Sequence, residues 1–181
     1  MTDLQLVAQC INGNYRAQKK LYQQYSGLMM GVAMRYSSCK QEAEDVLQDA
    51  FITVFTKLKD YNNTGPLGAW IRRIVVNTSL MRLRKNKHNK MHIQMDESLA
   101  IEEVSENALS KIAAEELMLK IQKLAPGFRM IFNLYAIEGY THLEISKELG
   151  ISVGTSKSQY SRARAILKIM IAKELASERA I

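Results

Sequence analysis

A stretch that begins at Gly150, "GISVGTSKSQYSRARAILK", opens on a glycine turn and continues as a helical pattern whose first turns carry almost nothing apolar. Lys157, Ser158, Ser161 and Arg162 follow one another at offsets of one, four and five, so they share one face of that helix. The face has no carboxylate until Glu174. Short hydroxyls permit close approach to base edges, and the cations neutralise phosphates, which is the chemistry of duplex DNA reading. A second constellation, Asp45, Gln48, Asp49 and Ile52, sets carboxylates around an isoleucine on one helix face, a composition suited to docking a protein partner. The third is a short polar loop leading to Trp70, the only tryptophan, and then a helix bearing Arg72, Arg73, Arg82 and Arg84 with Asn77 in its middle. An aromatic beside a dense basic helix suits single-stranded nucleic acid, in which bases stack and cations follow the backbone. Each has a plainer reading: solvated polar faces for the charged residues and a core anchor for Trp70.

The elements that must position these groups are helices. In "AEDVLQDAFITVFTKL" the residues Ala43, Val46, Leu47, Ala50, Phe51, Val54, Phe55 and Leu58 form one stripe at i, i+3, i+4, i+7 spacing. Helices are expected near 3–11, 14–36, 40–60 and 66–86, the last with Pro66 in its first turn. No strand alternation stands out, so the expected fold class is all-α. Seven basic and no acidic residues run from Arg72 to Lys90, then five acidic and no basic ones from Asp96 to Glu106. That reversal, without sustained periodicity, marks a flexible acidic linker at 91–106 between units at 1–90 and 107–181. The second unit should hold helices near 107–123, 127–138, 141–149 and 153–175. Asn107 is the expected cap of the first, Pro126 stands before the second, Gly150 ends the third and Ser152 caps the fourth. On the last helix Tyr160, Ala163, Leu167, Met170 and Ile171 form the inward stripe, while Ile145 and Leu149 face inward from the preceding one. Two helices joined by this tight turn read as a helix-turn-helix, whose second helix enters the major groove.

The chain has 25 Lys and Arg against 18 Asp and Glu, a formal net charge of +7, which favours an acidic partner. Apolar residues make up 47% of it, enough for a folded core. Cys10 and Cys39 have no metal or disulfide spacing and suit free thiols in a reducing compartment, so a cytoplasmic location is expected. No signal peptide or membrane-length apolar run is present, and membrane insertion is not expected. The histidines at 88, 92 and 142 are scattered; the His88/His92 pair lacks a third ligand nearby. With no phosphate-cradling glycine loop and no nucleophile–base pair, no enzyme, cofactor, metal or small-molecule substrate is expected.

"AEDVLQDAFITVF", "AWIRRIVVNTSLMRLRK" and "LAPGFRMIFNLYAIEGYTHLEISKELGISVGTSKSQYSRARAILK" together resemble, over nearly the whole chain, the extracytoplasmic-function sigma factors, small two-domain initiation subunits of bacterial RNA polymerase. The resemblance implies a region-two bundle and a region-four helix-turn-helix, with core RNA polymerase and promoter DNA as partners. It implies that Asp45, Gln48, Asp49 and Ile52 contact the polymerase clamp. The loop Tyr61, Asn62, Asn63, Thr64 to Leu67, with Trp70 and Asn77, would capture a flipped −10 base. Arg72, Arg73, Arg82 and Arg84 would hold the strand backbone. Thr155, Lys157, Ser158, Ser161 and Arg162 would enter the −35 major groove, with Tyr135 and Arg164 toward phosphates. Departures from the family pattern fall at Ser156, where a branched apolar residue is common, at Gln159, Leu67 and Tyr135. An anti-sigma factor is a common family partner, though nothing in this sequence identifies one. The competing reading is a stand-alone helix-turn-helix regulator of a duplex operator. A further expectation is that Glu102, Glu103 and Glu106 fold back on a basic helix and mask it when polymerase is absent.

Overall fold

The computed structural model describes residues 2–89 and 114–178. The chain divides into two compact units, 1–91 and 92–181. The described residues are helical with no strand, in line with the all-α expectation. The acidic linker, the expected cap Asn107 and the masking glutamates lie outside the described residues.

In the first unit, α1 (Asp3–Ile11), α2 (Tyr15–Tyr36), α3 (Lys40–Lys57) and α4 (Leu67–Asn89) pack as a bundle in which α2, α3 and α4 all touch one another. The α3 stripe is buried as its spacing demands, from Ala43 through Val54, and a single 3-10 turn, Leu58–Asp60, takes up the rest of the expected helix. Burial of these aliphatic and aromatic side chains, at ~25 cal/mol per Å² of apolar area, is the main force holding the unit together. Pro66 stands just outside α4, its carbonyl accepting from the Ala69 and Trp70 amides at 3.0 and 3.2 Å. The next turn brings Gly68 so near α2 that a Cβ there would lie 3.1 Å from the Tyr25 ring. Tyr25 in turn donates from its hydroxyl to the Asp3 carboxylate at 3.1 Å, tying α1 to α2. Burial first, and then the neighbouring Asp3 charge, push this phenol up to about 12.

The second unit holds α5 (Ala114–Lys123), α6 (Pro126–Phe132), α7 (His142–Leu149) and α8 (Val153–Glu178). The expected helix at 127–138 instead stops at Phe132 and widens into a π-type turn over Asn133–Ile137. Ile121 of α5 and Leu124 just after it meet Ala163 and Leu167 of α8 in the core. Lys120, only 6% exposed, is held there by an ion pair with Glu174. Arg129 is also buried and donates to the Gln122 carbonyl at 2.8 Å, closing the C-terminal end of α5.

The α7–α8 corner is set by local chemistry. Thr141 and Glu144 form a capping box: the Thr141 hydroxyl accepts from the Glu144 amide, and the Glu144 carboxylate accepts from the Thr141 amide at 2.8 Å. Gly150 takes the left-handed conformation (φ 64°, ψ 36°) at the end of α7. Ser152 then caps α8, its hydroxyl accepting from the Thr155 amide at 2.9 Å. Between the helices the seam is polar. Ser156 is fully buried, and its hydroxyl shares a 2.9 Å hydrogen bond with His142 Nδ1. The His142 ring stacks on Tyr135 at a centroid distance of 4.2 Å and 14° between planes, and meets Tyr160 edge-on. His142 is therefore not the loose surface histidine that its place in the sequence suggests. Desolvation, and secondly the nearby Lys157 charge, lower its affinity for a proton.

Two outcomes follow from this corner. Nothing lies within 4 Å of a Cβ built on Gly150, so Gly150→Ala should cost only the left-handed backbone penalty, about 1–2 kcal/mol. Hydrogen exchange of the α7 and α8 amides measures it, and Gly150→Asn should recover part of the loss. The unfolded chain binds a proton at His142 more readily than the folded one. The second unit should therefore lose stability as pH falls below 6.5, with no contribution from this group at higher pH. In His142→Gln that part of the pH slope should vanish from the same exchange measurement.

Candidate nucleic-acid and protein-docking interfaces

The acidic face of α3 follows from its period: with Ala43, Val46, Leu47 and Ala50 inside, Asp45, Gln48, Asp49 and Ile52 must lie outward. Ile52 is 65% exposed, the one large apolar side chain of α3 left to solvent. The carboxylates are not bare, however. Arg82 of α4 donates from Nη2 to Asp45 Oδ2 at 2.7 Å and from Nη1 to Asp49 Oδ2 at 3.2 Å. Asp45 and Asp49 are one helical turn apart, a separation the guanidinium fork can span. The three side chains are 30%, 49% and 61% exposed, so each pair contributes no more than about 1 kcal/mol.

The basic run of α4, with no acid in its own sequence, thus finds counter-charge for Arg82 on another helix. The pairing also sets Arg82 apart from the other arginines. At about 100° per residue Arg82 lies about 180° around α4 from Arg73, whereas Arg73, Asn77 and Arg84 fall within about 40° of one another. Those three are exposed and form one strip with Met81 beside it, while Arg72 is half-buried on another side. That spacing was readable from sequence; the carboxylates that receive Arg82 were not, because they come from another helix.

The loop before α4 is tightly organised. The Tyr61 hydroxyl donates to the Gly65 carbonyl at 2.6 Å and lies 3.2 Å from Asn63 Oδ1. Asn62 Oδ1 accepts from both the amide and the hydroxyl of Thr64, at 3.3 and 2.8 Å. Asn63 is left-handed (φ 57°), a conformation that asparagine tolerates. Tyr61 leans on the half-buried Trp70 with ring centroids 5.6 Å apart. Leu67 is a correction: it is 0% exposed, part of the bundle core, and cannot touch a base. Its position at the first turn of α4 aims it inward, leaving Asn62, Asn63 and Thr64 as the exposed tip of the loop.

On α8 the buried stripe runs Ser156, Ala163, Leu167, Ile171, with Tyr160 and Met170 half-buried. Lys157, Ser158 and Ser161 are exposed and Arg162 half-buried on the other side of the helix. The Thr155 hydroxyl is engaged with Ser152 Oγ at 2.9 Å, so it serves the cap. Ser158 donates to the Thr155 carbonyl at 3.1 Å. Arg164 is exposed, its guanidinium 6.0 Å from the Tyr160 ring centre, and Tyr135 keeps one edge in solvent above His142. Sequence reasoning passed over Ser156 and His142 as a pair; the Thr-x-x-Glu pattern that caps α7 was available in the sequence. Among the described residues, no group of three acidic, histidine or cysteine side chains could hold a metal ion. No helix there is long and apolar enough to cross a membrane. Cys10 is buried, with its thiol pushed up by desolvation, and Cys39 is exposed; both are free.

Residues 21–89 match the Sigma-70 region 2 family and residues 114–167 match Sigma-70, region 4. The chain is 30% identical to the ECF RNA polymerase sigma factor SigE of Mycolicibacterium smegmatis over 85% of its own length, spanning 61% of that relative. It is also 30% identical to the ECF RNA polymerase sigma factor SigW of Bacillus subtilis, over 70% of this chain and 74% of that one. Among solved structures, the sigma factor RpoE bound to the anti-sigma factor NepR from Bartonella quintana resembles it in fold (TM-score 0.51, 23% identity, 86% of this chain and 96% of that one). Two sigma-70 regions in family order, each on its own helical unit, place this chain in the extracytoplasmic-function group of the sigma-70 family.

Proposed function

We propose that this chain is a sigma factor that binds core RNA polymerase and directs promoter-specific initiation of transcription. The observation that carries the reading is the pairing, in one chain, of a helix-turn-helix with a cationic outer face and a region-2 unit with an exposed acidic face around Ile52. A stand-alone operator-binding regulator has no use for the second. In this reading Asp45, Gln48, Asp49 and Ile52 dock on polymerase. Asn62, Asn63 and Thr64 with Tyr61 and Trp70 receive an unstacked −10 base, and Arg73, Asn77 and Arg84 follow the strand. Lys157, Ser158, Ser161 and Arg162 enter the −35 major groove, and Tyr135 and Arg164 flank it. An anti-sigma factor, like the one bound to the Bartonella relative, would act by covering these faces. The chain would work in the cytoplasm, beside its polymerase.

The mechanism is physical and involves no covalent step. Unstacking a base costs a few kcal/mol, and stacking or pocket placement on protein returns about 1–3 kcal/mol per base. Because these nearly cancel, the subunit alone melts poorly. Anchoring at −35 and on the polymerase tips the balance. The preformed loop helps by lowering the ordering entropy left to be lost on binding.

Purified protein should co-elute stoichiometrically with bacterial core RNA polymerase, and Asp45→Ala/Gln48→Ala/Asp49→Ala should abolish it. Wild-type protein that never co-elutes would hand the case to the stand-alone regulator. On duplex DNA, Lys157→Ala should reduce the slope of log affinity against log salt by about 0.9, the value of one lost phosphate contact. An unchanged slope would remove Lys157 from the DNA face.

A further inference from the structure

The position of Arg82 carries an inference about how the acidic face works, and it rests on the docking role proposed for that face. We propose that Arg82 is a positioning residue of the polymerase-docking surface, holding Asp45 and Asp49 in place, and that it makes no contact with the melted strand.

Three observations converge on it. The guanidinium reaches both carboxylates at once, at 2.7 and 3.2 Å, through two different nitrogens. Both bonds end on Oδ2, so one oxygen of each carboxylate is left over for an incoming donor. And Arg82 projects about 180° around α4 from Arg73, off the strip that Arg73, Asn77 and Arg84 form.

The physical need is plain. An interface centred on Ile52, 65% exposed in the free protein, withdraws water from the carboxylates beside it. Two like charges one helical turn apart repel, and they repel more strongly once water leaves. A guanidinium already seated between them reduces the net charge to be desolvated from two to one. It also freezes both side chains before the partner arrives, so less rotamer freedom is lost on docking. Opposing this, Arg82 weakens long-range attraction to a cationic partner. With the carboxylates 49% and 61% exposed, water and salt screen that attraction. The local effect therefore wins, and removing Arg82 should weaken docking.

The test is a double-mutant cycle on the full-length protein binding core RNA polymerase, with Arg82→Gln, Asp45→Asn/Asp49→Asn and the combination, titrated by fluorescence anisotropy. Arg82→Gln should weaken core binding about threefold to tenfold, and in the Asn/Asn background, which keeps Gln48 and Ile52 and with them a measurable residual affinity, it should have no further effect. Arg82→Lys, one ammonium for two carboxylates, should recover only part. The same variants are then titrated with a labelled oligothymidine strand over a range of salt. Arg82→Gln should leave the salt slope unchanged, whereas Arg84→Ala should lower it by about 0.7, one phosphate contact on a single strand.

Tighter core binding by Arg82→Gln would mean that Arg82 masks the face, and would overturn the proposal. So would an equal loss in both backgrounds, or a drop in salt slope matching that of Arg84→Ala. A merely structural Arg82 would lower thermal stability but leave core affinity intact at temperatures where every variant is folded, which also overturns it. Failure of wild-type protein to bind core at all would count against the sigma reading itself, with the charge geometry standing.

Discussion

A helix offers a full turn of surface, and in a unit this small every helix must surrender one stripe of it to the core. α3 illustrates the constraint on which everything else depends. Ala43, Val46, Leu47, Ala50, Phe51 and Val54 are all buried, so whatever α3 offers to a partner must come from the remaining arc. Asp45, Gln48, Asp49 and Ile52 occupy that arc because the core leaves them nowhere else. The recognition surface is thus the complement of the packing surface, and its rigidity is borrowed from it.

The same constraint shapes α8. Its buried edge runs through Ser156, Ala163, Leu167 and Ile171, and the opposite side carries the cations and hydroxyls. A serine on a buried edge is tolerable only if its hydroxyl is satisfied, and His142 satisfies it at 2.9 Å. A seam sealed by an imidazole between a tyrosine ring and a serine is directional. It fixes the rotation of α8 relative to α7 more narrowly than aliphatic packing does, at the cost of sensitivity to protons.

Charge is handled differently on the two units. On α8 the sequence places no acidic residue before Glu174, which pairs with Lys120 of α5. On the first unit the acidic face is partly neutralised by Arg82, while Arg73 and Arg84 keep to another side of α4. Opposite charges on one small bundle are kept to separate sectors, so a basic strip and an acidic face coexist with one arginine between the two carboxylates.

Much of this was legible in the chain alone. Period 3.6 gave the helices and their inward stripes; the Thr-x-x-Glu pattern, Gly150 and Ser152 specify the α7–α8 corner because caps and turns depend on neighbours in sequence. The outward faces of α3 and α8 follow from the same periodicity. What tertiary structure decided are relations between elements far apart in sequence. Arg82 and the Asp45/Asp49 pair, His142 and Ser156, Lys120 and Glu174, and the inward turn of Leu67 all depend on which helix lies beside which. Periodicity tells a side chain to face in or out. It carries no information about the partner that waits there, since that is fixed only when the helices close on one another.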